Sequence, residues 1–305
     1  MSNAKTNSNY AAHEHDAHEV ATGAVISEDG TEIGYLRVGR GPAVVVLHGS
    51  FQSASSHLGL AAALADRFTV YLPDRRGHAL SGPTGATYGM RCEVEDLQAV
   101  VRASGAENVF GVSSSGLIAL EAARRTPTLR HAALYEPALL MDTGRYVDWL
   151  ARFDREMADG DVAAALITSM IGLDLAPPIM RVLPRRLLEF VTRKAMEKQE
   201  ADSTVPGMTM RELAPTIRNE GVLIAEMAGT LARFADLDTE VLLMGGTRRG
   251  PAFIKPALEA LASTLANCAR IEFDKLDHGS AADPSKMNRF GRPDVVSQPL
   301  LTFFQ

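Results

Sequence analysis

The sequence predicts an α/β protein: a mostly parallel central sheet flanked by helices and interrupted by an all-helical insertion. Three observations carry this. Short runs apolar on both faces, such as Ala43–Leu47 (Ala-Val-Val-Val-Leu), suit strands buried between two helical layers. These runs alternate with amphipathic segments of helical period, the pattern of a parallel sheet with crossover helices. The alternation stops near Pro137 and resumes near Glu240, so one sheet with a helical insertion explains the chain better than two sequential domains.

Val20–Ser27 and Thr31–Gly39 flank Asp29-Gly30, a pair that signals a hairpin. Ala43–Leu47 is the first buried strand, His57–Arg67 an alanine- and leucine-rich helix, and Phe68–Leu72 the next strand. Arg91–Ser104 is helical, Asn108–Val112 a strand, Gly116–Arg125 a helix stopped before Pro127, and Arg130–Tyr135 a strand. Helical patterns then dominate: Tyr146–Met157, Asp161–Gly172, Ile179–Glu200 and Arg218–Phe234. Alternation returns with Glu240–Met244 (strand), Pro256–Leu265 (helix), Arg270–Lys275 (strand) and Asp294–Phe304 (helix). The expected division is a disordered polar tail over 1–19, a core over 20–136 and 240–305, and an insertion over 137–239.

Composition narrows the function. The chain has 305 residues, is 46% hydrophobic and 22% charged, and can bury a full core. Its net charge of −6 comes without any Lys/Arg-rich block, so no nucleic-acid partner is expected. The doublets Arg75-Arg76 and Arg185-Arg186 read as solvated faces or loop anchors. Two distant cysteines, Cys92 and Cys268, make neither a disulfide framework nor a zinc site. The absence of an apolar h-region and of any eighteen-residue apolar stretch leads to the expectation of a cytoplasmic protein with no membrane partner. His13, His15 and His18 sit in the polar tail. No His/Asp/Glu set has metal-ligand spacing, and neither a cofactor nor a metal is expected. A homodimer is left open.

In such sheets the chemistry sits beyond the carboxyl ends of the strands. Asn108-Val-Phe-Gly-Val-Ser-Ser-Ser-Gly116 runs there from strand into helix. In a G-x-S-x-G turn, a sharp strained elbow lifts one serine above the sheet and small neighbours permit the turn. Gly111-Val112-Ser113-Ser114-Ser115 fits with Ser115 in place of the second glycine. A frame shifted by one residue keeps Gly116 but makes Ser114 the nucleophile. Ser113 is preferred, because Gly116-Leu-Ile-Ala-Leu then falls where the helix packs.

Two further strand ends carry motifs: Leu47-His48-Gly49-Ser50, and Pro73-Asp74-Arg75-Arg76-Gly77-His78-Ala79-Leu80-Ser81-Gly82. With the serine elbow and a late histidine, they resemble the α/β-hydrolase family, on its serine-nucleophile branch with a helical cap. The resemblance covers the chain from about Val20 to its end. The insertion resembles the family's variable cap only in position and helicity. It implies Ser113 as nucleophile, His278 in Leu276-Asp277-His278-Gly279 as base, and the backbone N–H groups of Ser50 and Ser114 as oxyanion donors. The family most often carries the triad acid after the strand ending at Met244, but Gly245-Gly-Thr-Arg-Arg-Gly-Pro251 holds no carboxylate. Some members carry it one strand earlier, which here is Glu136. Asp142 is the second choice, and Asp277 is expected to point away from the base. His48 and His78 are assigned to bracing the loops, and His57 and His131 to the surface or helix ends.

The expected function is hydrolysis of an ester, thioester or lactone of a largely apolar small molecule through an acyl-enzyme, with a carboxylesterase- or lactonase-like enzyme foremost. Two alternatives stay open: C–C bond hydrolysis or natural-product cyclase or lyase chemistry on the same scaffold, and a non-hydrolytic small-molecule receptor. The insertion's apolar residues, among them Trp149, Met170, Phe190, Met208 and Met227, are expected mostly to pack onto the sheet, with some lining a pocket above Ser113.

Overall fold

The structure is a computed structural model that describes residues 18–141, 148–202, 207–248, 250–285 and 288–305. The hairpin forms at Asp29-Gly30 as β1 (Val20–Ile26) and β2 (Glu32–Gly39), with Gly30 at φ 86°. The following strands are β3 (Ala43–Leu47), β4 (Thr69–Pro73), β5 (Asn108–Val112), β6 (His131–Tyr135), β7 (Glu240–Gly246) and β8 (Cys268–Phe273). They order as β1-β2-β4-β3-β5-β6-β7-β8, with β1/β2 and β2/β4 antiparallel and every later pair parallel. The parallel strands place the ends of β3, β5, β6 and β7 side by side on one edge.

Helices α1 (Leu58–Leu64), α2 (Met90–Ser104), α3 (Ser114–Arg125), α9 (Ile254–Thr264) and α10 (Pro293–Phe303) cover the sheet. One apolar layer joins α2, α3 and α9 to β3, β5 and β7 through residues such as Val45, Leu97, Val109, Leu117 and Leu261. The other joins α1 and α10 to the opposite face through Leu60, Leu64, Phe110 and Val296. This two-sided burial is why the central strands read as continuous apolar runs.

Between β6 and β7 the chain is helical, and no strand occurs there among the described residues: α4 (Leu150–Ala158), α5 (Val162–Gly172), α6 (Arg185–Ala201), α7 (Met210–Leu213) and α8 (Ile217–Met227). Two expectations change in this segment. Ile179–Glu200 is not one helix, because Pro184 cannot continue a ladder. A single 3-10 turn over Pro178–Arg181 precedes it, and α6 starts just after it. The predicted Arg218–Phe234 helix stops at Met227, ahead of Gly229 at φ 69°, and a 3-10 turn covers Leu231–Phe234. His18, placed by sequence in the tail, lies 3.3 Å from the Asp66 carboxylate. His13 and His15 lie outside the described residues.

Candidate active site

The serine elbow is built by strain and close approach. Ser113 sits between β5 and α3 at φ 56° and ψ −121°, a region a side chain rarely adopts. Its N–H donates to Tyr135 O (3.0 Å), and its carbonyl accepts from Gly116 N (2.9 Å) and Ala138 N (3.2 Å). Gly111 is obligatory here. A Cβ at that position would stand 2.3 Å from the Ser115 carbonyl oxygen. Gly116 faces Pro137, with a Cβ only 2.9 Å away were one added. Ser115 fills the place of the second motif glycine and adds a tie: its buried Oγ donates to His48 O at 2.5 Å. Helix α3 begins at Ser114, so the Ser114 N–H is one of the orphan donors of a helix start. The sequence pattern places this start two residues later.

The loop after β3 faces this elbow. Gly49 N donates to Gln52 Oε1 (2.8 Å), and Phe51 follows Ser50 at φ 59°. His48 is fully enclosed. Its Nε2 accepts from Arg75 N (3.1 Å), so Nδ1 carries the proton and donates to Gly49 O (3.1 Å). Burial, then the neighbouring His78 and Arg75, hold its pKa well below the ordinary histidine value, and the ring stays neutral. The His48 and His78 rings meet edge to face at 4.6 Å.

Glu136 follows β6 directly, at φ 47°, with its N–H donating to Met244 O (2.8 Å). Its Oε2 accepts from His278 Nδ1 at 2.7 Å, and its Oε1 accepts from Gly246 N at 2.9 Å. The carboxylate is buried, and the imidazole side chain keeps 17% exposure. The carboxylate-free end of β7 now has a physical reason. A Cβ on Gly246 would collide with Leu276 O at 2.1 Å, and one on Gly245 would press on Leu258 (2.8 Å). Gly246 lets β7 pass against the Leu276–Asp277 backbone that leads to His278, Gly245 keeps clear of Leu258, and the Gly246 N–H donates to Glu136. Asp277 turns away as expected, its Oδ1 accepting from Gly279 N (3.1 Å) and Ser280 Oγ (3.0 Å). Asp142 lies outside the described residues.

Sequence reasoning missed the supports. Tyr135, a core residue by pattern, donates its hydroxyl to Asp277 O (2.7 Å) and so fixes the turn that carries His278. Asn288 holds the same turn through Gly279 O (2.8 Å). Arg75 and Arg76 are buried rather than solvated. Arg76 pairs with Asp96 and Asp29. Arg75 binds Glu93 through Nε (3.1 Å) and Nη2 (3.0 Å), Glu220 of α8 through Nη1 (2.8 Å), and Tyr88 Oη through Nη2 (2.8 Å). Its Nη1 also lies 3.4 Å from Ser114 Oγ. This one side chain ties α2, the insertion and the elbow together. The arginine pair itself is visible in sequence; its burial is not. His57 stands at a helix end, as the N-cap of α1, but is buried rather than at the surface, with Nε2 3.0 Å from Gln52 Oε1 and its pKa pushed down to about 4 by desolvation. His131 is half-buried against Phe303. Among the described residues, no three His, Cys, Asp or Glu side chains are grouped as metal ligands.

Residues 44–290 match the profile of the Alpha/beta hydrolase family. The chain belongs to that family. A relative from Stenotrophomonas maltophilia (strain R551-3), a pimeloyl-[acyl-carrier protein] methyl ester esterase, is 27% identical over 223 residues, 68% of this chain and 83% of its own. The crystal structure of an alpha/beta hydrolase from Sphaerobacter thermophilus DSM 20745 superimposes with a TM-score of 0.73 at 27% identity, covering 93% of this chain and all of that one. A thermophilic esterase from Thermogutta terrifontis shares the fold with a TM-score of 0.69 at 17% identity, over 92% and 96% of the two chains. The protein is thus an alpha/beta hydrolase with esterases among its relatives. No helix among the described residues is long and apolar enough to cross a membrane.

Proposed function

We propose that the protein is a serine esterase that cleaves an ester, thioester or lactone of a largely apolar small molecule through an acyl-enzyme. The observation that carries this is the 2.7 Å contact between His278 Nδ1 and Glu136 Oε2. An ionised carboxylate can only accept, so it holds the proton on Nδ1 and leaves Nε2 as the basic nitrogen. A serine hydroxyl is a weak nucleophile and needs such a base.

In this mechanism Nε2 of His278 takes the Ser113 proton as Oγ attacks the substrate carbonyl. The N–H groups of Ser50 and Ser114 receive the developing oxyanion, a contact worth about 3–4 kcal/mol per donor. His278 returns the proton to the leaving alcohol or thiol. A water, deprotonated by the same nitrogen, then releases the acid. Glu136 stays ionised throughout and stabilises the imidazolium. The helical segment between β6 and β7 serves as the cap over this site, within the division into core (20–136, 240–305) and insertion (137–239). The methyl ester named for the Stenotrophomonas relative supports an ester as the first substrate class to try.

The test is labelling with a fluorophosphonate, read by intact mass, beside Ser113→Ala and Ser114→Ala, together with hydrolysis of short p-nitrophenyl esters. A single adduct lost only in Ser113→Ala, with kcat reduced by several orders of magnitude in that variant, is expected. Turnover near wild type in Ser113→Ala overturns the assignment. Loss confined to Ser114→Ala moves the nucleophile by one residue. Cleavage of a vinylogous diketone with no ester turnover would select the C–C hydrolase reading instead, and tight binding without turnover the receptor.

A further inference from the structure

The insertion carries an apolar ridge on its outside. Ile179, Val182, Leu183, Leu187, Phe190 and Val191 are between 36% and 75% exposed. They lie on the 3-10 turn over Pro178–Arg181, the bend at Pro184 and the first two turns of α6. Single exposed apolar residues are ordinary. Six large ones within thirteen residues are not scattered, and grouped exposed apolar side chains mark interaction sites. Phe190, which the sequence placed among residues packing inward, is part of this outward ridge.

The burial of α6 separates its two faces. Leu188 and Met196 are buried and Arg185, Glu189, Thr192 and Gln199 half-buried, so that side rests on the insertion. The opposite side presents Leu187, Phe190 and Val191, and one or two turns further on Lys194 and Lys198, with Arg186 beside the first turn. Residues 178–201 hold six basic and three acidic side chains, a net +3 in a chain whose total is −6. Arg181, Arg185 and Arg193 lean back onto Asp174, Glu156 and Asp161 of the insertion itself. The cations that face outward with the apolar ridge are therefore Arg186, Lys194 and Lys198. Lys194 meets Glu197 on the same helix at 2.6 Å, an exposed pair that a stronger anion can displace at little cost.

We propose that this ridge is a docking surface for an anionic lipid bilayer, with Leu187, Phe190 and Val191 entering the headgroup boundary while Arg186, Lys194 and Lys198 meet lipid phosphates. Charge complementarity selects this occupant. The outward face adds positive charge to an otherwise acidic protein, which suits an anionic surface; a second copy would set these cations against their own equivalents. The shape agrees. From Pro177 to Leu187 only Met180 and Arg185 are partly covered, so the ridge protrudes, and a bilayer accommodates a protruding apolar helix without a matching concavity. Lying on a membrane is physically distinct from spanning one, and the lack of a spanning helix does not bear on it. The expectation of no membrane partner rests on the absence of an apolar h-region and of a spanning stretch, neither of which bears on a helix lying at a surface. Docking is independent of the hydrolytic assignment.

The test is co-sedimentation of the full chain with vesicles of phosphatidylcholine alone and of phosphatidylcholine with about 30% phosphatidylglycerol, at low and high salt. Wild type is expected to bind the anionic vesicles at least tenfold more tightly than the neutral ones, with the preference lost at high salt. Phe190→Glu with Leu187→Glu, and separately Arg186→Glu with Lys194→Glu and Lys198→Glu, each reduce binding at least tenfold while hydrolysis of a soluble ester and the unfolding midpoint stay at wild-type values. Ser113→Ala binds like wild type, so an inactive enzyme that still docks would separate this inference from the esterase reading. Absence of vesicle binding, or binding unaffected by both variants, overturns it. So does a dimer in light scattering that Phe190→Glu dissociates, which would assign the ridge to contact between copies of the chain.

Discussion

Replacing Glu136 with Gln changes one atom and should disable the base. The geometry decides how the amide sits. Gly246 N–H lies 2.9 Å from Oε1 and needs an acceptor, so the amide oxygen stays there. The amide nitrogen then occupies the Oε2 position, 2.7 Å from His278 Nδ1, and can only donate. His278 must answer with an unprotonated Nδ1, which moves its proton to Nε2, the nitrogen that accepts from Ser113 in the proposed mechanism. The charge that stabilises imidazolium is lost in the same step. In a triad the equivalent acid-to-amide change costs about 10⁴ in kcat, or roughly 5 kcal/mol of transition-state stabilisation. The assay is kcat and KM on a p-nitrophenyl ester beside the rate of fluorophosphonate labelling. We expect kcat and labelling to fall about 10³–10⁴-fold with KM and the unfolding midpoint little changed. A loss below tenfold would refute the argument, because the wrong tautomer cannot support near-normal proton transfer.

Three further outcomes follow from the same contacts. Arg75→Leu leaves Glu93 and Glu220 buried without their cation and should destabilise the fold by about 3–5 kcal/mol in urea unfolding, whereas Arg75→Leu with Glu93→Leu and Glu220→Leu should recover most of it; a triple variant no better than the single one contradicts this. Gly111→Ala drives a methyl into the Ser115 carbonyl, so it should cost about 1–3 kcal/mol and slow fluorophosphonate labelling at least tenfold, and unchanged labelling would show that the elbow does not need this approach. His57, held down to about 4, stays neutral in the native state while the unfolded chain protonates near 6.5, so stability present at pH 7 should drain by about 3 kcal/mol between pH 6.5 and 4. Asp74, pushed up to about 6 by burial, acts in the opposite sense, since the native state gains its proton first as pH falls. His57→Asn should therefore flatten the acid limb of the stability profile and Asp74→Asn steepen it; identical limbs in all three proteins would exclude these groups as its source.

What sequence disclosed, and what it hid, follows from the range of the interactions. The strands were legible because burial on both faces writes an apolar run into five consecutive residues, and the elbow because Gly111, Ser113 and Gly116 are local demands of one turn. Glu136 was reachable only through a resemblance and an absence. The Gly245-Gly246 end of β7 looks featureless in sequence, and becomes informative once Glu136, at the end of the neighbouring strand, is seen to take the Gly246 N–H. Arg75 was opaque for the converse reason. Its partners lie 18 and 145 residues away, and no periodicity announces a buried guanidinium whose countercharges come from two other helices. The same side chain shows why the insertion is not a detachable lid along its whole length. Helix α8 is fixed to the core by Glu220 on Arg75, by Asn219 on Thr84 (3.2 Å) and by Glu226, which accepts from Met90 N (2.7 Å) at the start of α2. Helix α6 is held within the insertion instead: its Arg185 and Arg193 pair with α4 and the start of α5, and its Glu200 with Arg211 of α7. An insertion rooted at α8 and apolar outside at α6 can hold the elbow in place while its outer edge engages a surface, and this division of labour places Arg75 among the residues that position Ser114 and leaves Phe190 free of the chemistry.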